Sequence, residues 1–460
     1  MVGWLLPVTL LPKTITSALF ENFAQLAFPV LLVFLLVALN LKPALIDELL
    51  PKPGTMQIWG VFIASQLALF AWYSIKYGES VHTYGLIHGW MTFIQFMLAI
   101  FFAYVIQKVF IRDVDNVVTF LGSLIISLSV YVTLVLGPQL IVSFHGPLTG
   151  WTNALAQLFE RHWDDRSWYD AGSYVATKHR LNGFEPEAPF LVMLLGLVFT
   201  PVLIAILQEP IQHFKNVKWI KWLTWLLLGA LCVVFLMARS TSGYIMIALV
   251  GIFMVLFAPK QTRKWVIFSV ILFVIALGIT YQVVPGVHHM FEKWLFDKKG
   301  TDNRLGGTIG LALTFLHHPL LGVGYGNEGY FIEQYLPAWS KHNSEYVNFY
   351  SKTSYPILND MLGWLARFGL VALLIGGGLL IKLVYKAGHV YHGLRDVRDV
   401  DAMTYRIVLR AFFIMVPMAL VMASITQINA FSWPMLLMYF FYWRVIGLAT
   451  NFKLDIEKTL

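Results

Sequence analysis

Five short segments of the chain hold the residue types that bind anions or move protons. The first is ARSTSG at 238–243, where Arg239 stands between two apolar runs. A guanidinium at that depth needs an anion or carbonyl groups as partners; snorkelling to a membrane interface is the other reading. The second is DNRLGGTIGLALTFLHHPLLGVGYGNEGY at 302–330, in which Arg304 opens a short amphipathic stretch and His317 and His318 precede a turn holding Gly322, Gly324 and Tyr325. Glycines there let backbone approach a ligand closely. No strand precedes them and no GxGxxG spacing exists, so this is not a dinucleotide fingerprint. Adjacent histidines on a helix cannot face one metal, and packing is their simpler role.

The third segment, KHNSEY at 341–346, offers His342 as a general base or as a cation near phosphate, with Asn343 beside it. A loop histidine without chemical duty is the alternative. The fourth, KHRLNGFEPEAP at 178–189, places Arg180, Glu185 and Glu187 just ahead of an apolar run. A carboxylate there can serve as a base, or simply complement the positive end of a helix. The fifth, NDMLGWLARFGL at 359–370, carries Asp360 and then Arg367 about two turns further on, which must face protein or water rather than lipid. Arg161 and Gly172 add an R-x10-G spacing of little weight alone.

The elements that must position these residues are membrane helices. Of the 460 residues 58% are hydrophobic and only 13% charged, and the mean hydropathy is +0.69. Soluble chains of this length carry far more charge, and a bilayer core of about 30 Å needs roughly 20 apolar residues per helix. Apolar runs predict helices at 3–20, 24–41, 57–76, 86–107, 117–137, 189–208, 222–238, 243–258, 265–284, 360–384, 405–428 and 432–450. The fold class expected is therefore all-α, a polytopic membrane protein of about twelve spans. Its 16 Trp and 20 Tyr suit interfacial belts.

Basic residues orient the set. Lys42 and Lys52; Lys108 and Arg112; Lys215, Lys218 and Lys221; Lys260, Arg263 and Lys264; and Lys386, Arg395, Arg398 and Arg406 fill alternate loops. Placing these in the cytoplasm satisfies the positive-inside rule and puts both termini there. Two long loops, 138–188 and 285–359, then lie outside, where loops of that length are usually functional. The formal charge of +8 is explained by these loops, and no basic tail or motif points to nucleic acid. The single cysteine, Cys232, permits neither an intrachain disulfide nor a cysteine metal site. The first twenty residues lack the basic region and cleavage site of a signal peptide and read as a helix that stays.

Taken together, ARSTSG at 238–243, Arg304 followed by HPLLGVGYG at 318–326, His342–Asn343 and the helix opening that ends RFGL at 367–370 resemble the hallmarks of the bacterial O-antigen ligase/polymerase superfamily, over roughly residues 190–385. The resemblance implies a GT-C-like helical fold in the bacterial cytoplasmic membrane and a glycosyltransferase that needs no metal or other cofactor. Its donor is an undecaprenyl-diphosphate-linked oligosaccharide, handled among membrane lipids at the outer face, with a chain-length regulator as a partner. By the same resemblance Arg239 and Arg304, with Arg180, hold the diphosphate through fork-shaped donors. His342 takes the acceptor proton, with Glu187 or Glu185 as competitors. Ligases pass the glycan to lipid A–core; polymerases pass it to another carrier-linked unit. Gly369 stands 27 positions beyond His342, and RLNGFEPEAP at 180–189 is similar to a segment of exopolysaccharide and capsule polymerases; both favour the polymerase branch. A transporter or flippase of lipid-linked sugars would instead place its ionisable residues at mid-membrane, and a non-catalytic assembly protein would tolerate loss of Arg239 and Arg304.

Overall fold

A computed structural model describes residues 3–11, 27–78, 85–163, 166–209, 217–260, 263–285, 288, 292, 301–352 and 354–459. Most of the helix expected at 3–20, Lys215, and much of 286–300 in the second long loop lie outside the described residues. Among those described, the chain is helical without strands, and eight helices are long and apolar enough to cross a membrane.

The principal helices are α1 (Ala27–Leu41), α2 (Pro53–Tyr77), α3 (Gly85–Phe110), α4 (Val114–Ser143), α5 (Ala188–Gln208), α6 (Val217–Met237), α7 (Thr241–Leu256), α8 (Arg263–Val283), α9 (Thr301–His317), α10 (Asp360–Gly393), α11 (Val400–Ile425) and α12 (Trp433–Thr459). The eight candidate spans fall on α2–α6, α8, α10 and α11, while α1 and α7 are apolar but shorter. The sixteen residues of α7 give about 24 Å at 1.5 Å per residue, short of the hydrocarbon thickness.

Burial within the protein differs sharply among these helices. α5 is enclosed by protein, with Leu191, Leu195, Val198 and Ile204 inaccessible, and it packs chiefly on α11. α8 has no buried residue among those described, and its apolar length suits a helix facing a membrane. Two spans contain a π-helical turn, Val132–Leu136 in α4 and Leu195–Phe199 in α5, each followed two residues later by a proline, Pro138 and Pro201. A proline within a helix lacks its N–H and crowds the carbonyl four residues back. The wider turn accommodates both, and such bulges are common where helices bend. The helix expected to stop near 137 therefore continues to Ser143, and the first long loop begins later than 138.

Both long loops fold onto the same end of the bundle. The first contains helices at Thr149–Phe159 and Tyr174–Lys178. The second contains α9, Glu328–Gln334, a 3-10 turn at Ala338–His342 and Ser344–Asn348.

Candidate functional site

Arg239 is set by a tight hairpin between α6 and α7. Ser240 accepts a hydrogen bond from the Gly243 amide at 3.2 Å, which caps α7. A Cβ on Gly243 would lie 2.2 Å from the Phe235 carbonyl oxygen, so only glycine lets the two helices close this tightly. Arg239 itself has φ +48°, a left-handed conformation that side-chain-bearing residues seldom adopt. Its guanidinium is half-buried, and Nε is buried with no acceptor. The first long loop docks onto this hairpin: the Leu181 amide donates to the Met237 carbonyl at 3.4 Å, and Arg180 Nε donates to the Ala238 carbonyl at 3.1 Å. Burial, then the like charge of Arg180, holds Arg239 below the ordinary arginine range. It stays protonated all the same.

The segment that carries the carboxylates is clamped from beneath. Gln139 accepts from the Gly183 amide at 2.8 Å and donates to the Gly183 carbonyl at 2.7 Å, and the Phe184 amide donates to the Tyr131 hydroxyl at 2.9 Å. A Cβ on Gly183 would lie 2.0 Å from that hydroxyl. This rigid turn delivers Glu187 to the N-terminus of α5. Burial raises the Glu187 pKa above the usual carboxylate value, while Arg180, Arg166 and Arg304 pull it down and Glu345 pushes it up. Arg304 is tied to Thr426 Oγ1 at 3.0 Å. The charges thus run Arg239, Arg180, Glu187, Arg304, with a carboxylate between the arginines that the sequence suggested as a facing pair.

Beside Glu187 opens a cavity of about 1020 Å³. Its polar wall includes Glu185, Glu187, Arg161, Arg166, Tyr350 and Lys352; its apolar wall includes Phe96, Phe190, Met193, Leu194, Trp364 and Phe431. A volume of this size accommodates a drug-sized or oligosaccharide ligand. The Arg166 guanidinium carbon lies over the Phe349 ring, 3.5 Å from its centroid, and 4.8 Å from that of Trp168. Arg180, Arg239, Arg304, His342, Asn343, Gly322 and Gly324 are not among its lining residues, whereas Tyr325 is.

The glycine turn has a local structural explanation. α10 breaks at Gly369, φ +73°. The turn docks onto that break: the amides of Val323 and Gly324 each donate at 2.9 Å to the carbonyls of Ala366 and Arg367, and the Leu370 amide donates to the Pro319 carbonyl at 2.8 Å. A Cβ on Gly322 would lie 2.5 Å from the Arg367 carbonyl oxygen, so the close backbone approach here is to α10. The turn thereby positions Glu328, which pairs with Arg367, and Tyr325, whose ring lies 4.6 Å from the Arg367 guanidinium carbon and stacks on Phe96. His317 stacks on Tyr335, and His318 meets Tyr73 Oη at 3.1 Å.

His342 is exposed, and its Nδ1 lies 2.9 Å from the Ala338 carbonyl of its own turn. Asn343 caps Ser344–Asn348, accepting from the Tyr346 amide at 2.8 Å, and bonds Asn303. Sequence reasoning missed Arg166, Lys352, Tyr350 and Glu328, because the loops bring them to the cavity from positions with no local pattern. Among the described residues no group of three or more His, Cys, Asp or Glu is placed to hold a metal ion. No protein-family model matches this chain, and no characterised protein matches it.

Proposed function

We propose that this chain is a metal-independent membrane glycosyltransferase that polymerises undecaprenyl-diphosphate-linked oligosaccharide units at the outer face of the bacterial cytoplasmic membrane, on a GT-C-like fold of about twelve spans. One observation carries the reading. Arg239 and Arg180 stand side by side, Arg239 Nε is buried without an acceptor, and Glu187, on the wall of the large cavity, lies next to Arg180. An anion is favoured beside two half-buried like charges, and a diphosphate leaving group supplies one.

In this reading the acceptor hydroxyl oxygen forms the new bond to the anomeric carbon, and its proton passes to Glu187. The bond between that carbon and the diphosphate oxygen breaks, and the electron pair leaves with the diphosphate. Arg180 and Arg239 stabilise the charge that develops there, while Arg304 and Arg166 keep Glu187 ionised against the cost of its burial.

The test is reconstitution of the full chain in liposomes with an undecaprenyl-diphosphate-linked oligosaccharide, with and without lipid A–core. Polymer is expected without lipid A–core. Arg239→Ala is expected to slow it by about 10²–10³-fold, the loss typical of one transition-state donor. Normal polymerisation by Arg239→Ala removes the diphosphate clamp; product only with lipid A–core makes the enzyme a ligase.

A further inference from the structure

Four non-glycine residues among those described have left-handed backbone: His145, His179, Arg239 and Asn429. Three of these meet in one place. His145 follows α4, held by its amide to the Val142 carbonyl at 2.8 Å, and His179 ends Tyr174–Lys178, its amide donating to the Val175 carbonyl at 2.9 Å. Their rings stack with centroids 4.2 Å apart at 29°. Arg180 follows His179 directly and reaches across to the Arg239 hairpin. Non-glycine residues in this conformation carry a backbone cost of about 1–3 kcal/mol each and gather at ligand sites and switches. Each of the three ends a helix, which accounts for its left-handed backbone, and these caps bring the stacked imidazoles of His145 and His179 beside the Arg180–Arg239 pair.

We propose that His179, stacked on His145, is a third, proton-dependent cation of the Arg180–Arg239 anion site, charging when a diphosphate enters so that binding takes up one proton. The inference rests on the anion-site reading above and deepens it. The groups facing His179 are His145, the Val142 carbonyl and Arg239; Arg180 and Tyr244 in turn act on Arg239. Burial first, then His145 and Arg239, hold His179 below its ordinary pKa, so it is neutral at neutral pH in the free protein. Two phosphate charges between these cations reverse that balance and raise its pKa in the complex. Affinity is then greatest at low pH and is lost as pH rises through the pKa of the complex. Each unit of difference between the two states is worth tenfold in affinity.

The test uses the full chain in detergent and P1-farnesyl-P2-methyl diphosphate, a diester whose charge stays fixed across the range, titrated calorimetrically between pH 8 and pH 5.5 in buffers of different ionisation enthalpy. Wild type is expected to bind about tenfold more tightly at the lower pH and to take up close to one proton. His179→Gln is expected to lose the pH dependence and the proton uptake, whereas Arg239→Gln weakens binding at every pH and keeps the pH dependence. An unchanged pH profile in His179→Gln overturns the inference and leaves the arginine site standing. So does a profile lost only in His145→Gln, which makes His145 the group that charges. Binding unaffected by Arg239→Gln, or absent in wild type, overturns the anion site and this inference with it.

Discussion

α5 has a carboxylate at each end, Glu187 before its first residue and Glu209 after its last, about 30 Å apart along the helix. At the far end Glu209 is closed in by partners. Arg410 reaches it at 2.7 Å, Arg406 at 3.6 Å and the Tyr391 hydroxyl at 2.7 Å. Arg410 also donates to the Phe257 carbonyl at 3.0 Å. A carboxylate at a helix C-terminus opposes the dipole, so those two arginines are required to hold it there. Glu187 sits at the favourable end of the same dipole and needs fewer cations, yet Arg180, Arg166 and Arg304 all act on it and Arg239 stands behind them. Glu345 and Glu185 offset part of that positive charge, and this end opens on the cavity. The residue types are the same, and each end has a buried arginine Nε without a hydrogen-bond partner; the difference is that the Glu187 end opens on the cavity.

The comparison breaks most readily at Glu187. As a base it must be ionised, and burial places its pKa above the usual carboxylate range. Activity should therefore fall as pH drops through that raised value and recover as pH rises above it. Glu187→Gln should cut kcat by about 10²–10⁴-fold and abolish the acid limb of the pH–rate profile, with thermal unfolding in detergent unchanged. If the variant instead unfolds earlier and turns over normally, Glu187 is a second Glu209 and the contrast disappears.

Glu209→Gln should do the reverse. Removing one partner of a buried network leaves Arg406 and Arg410 uncompensated, at a cost of about 3–5 kcal/mol. The yield of folded protein and its unfolding temperature should drop, read by fluorescence-detected size exclusion. Turnover per folded molecule should match wild type. A variant of normal stability but reduced turnover would mean that the two ends communicate.

How much of this was legible beforehand depended on range. Helices over 86–107, 189–208, 265–284 and 360–384 were readable because hydropathy is a local property, and the structure has them at α3, α5, α8 and α10. The helix expected at 222–238 begins earlier, at Val217, and so takes in Lys218 and Lys221. Arg180, Glu187 and Arg239 were noticeable because a charge beside an apolar run is conspicuous. The cavity was not foreseeable. Arg166 meets Glu187 only because the first loop turns back on itself, and Glu328 meets Arg367 across 39 positions through a turn whose glycines fit a break in α10. No periodicity records such contacts. The space read as room for a ligand is filled by the protein itself, by the α10 backbone at Gly322 and by side chains at Gly324.

His342 sharpens the contrast at the smallest scale. By resemblance it takes the acceptor proton, but its ring is exposed and its Nδ1 is engaged by its own turn, as Glu209 is engaged by its own arginines. A polar group already satisfied within the fold adds little when a ligand arrives. His342→Ala should therefore lower the polymerisation rate by less than about threefold and leave stability nearly unchanged, as surface substitutions generally do. A loss comparable with that of Glu187→Gln would require the 338–348 segment to swing toward the cavity during turnover. Glu187 would then be a charge that positions Arg180 and Arg304, and the pH–rate limb would survive in Glu187→Gln but vanish in His342→Ala. Measuring both profiles side by side separates a base supplied by the rigid end of α5 from one brought in by a loop.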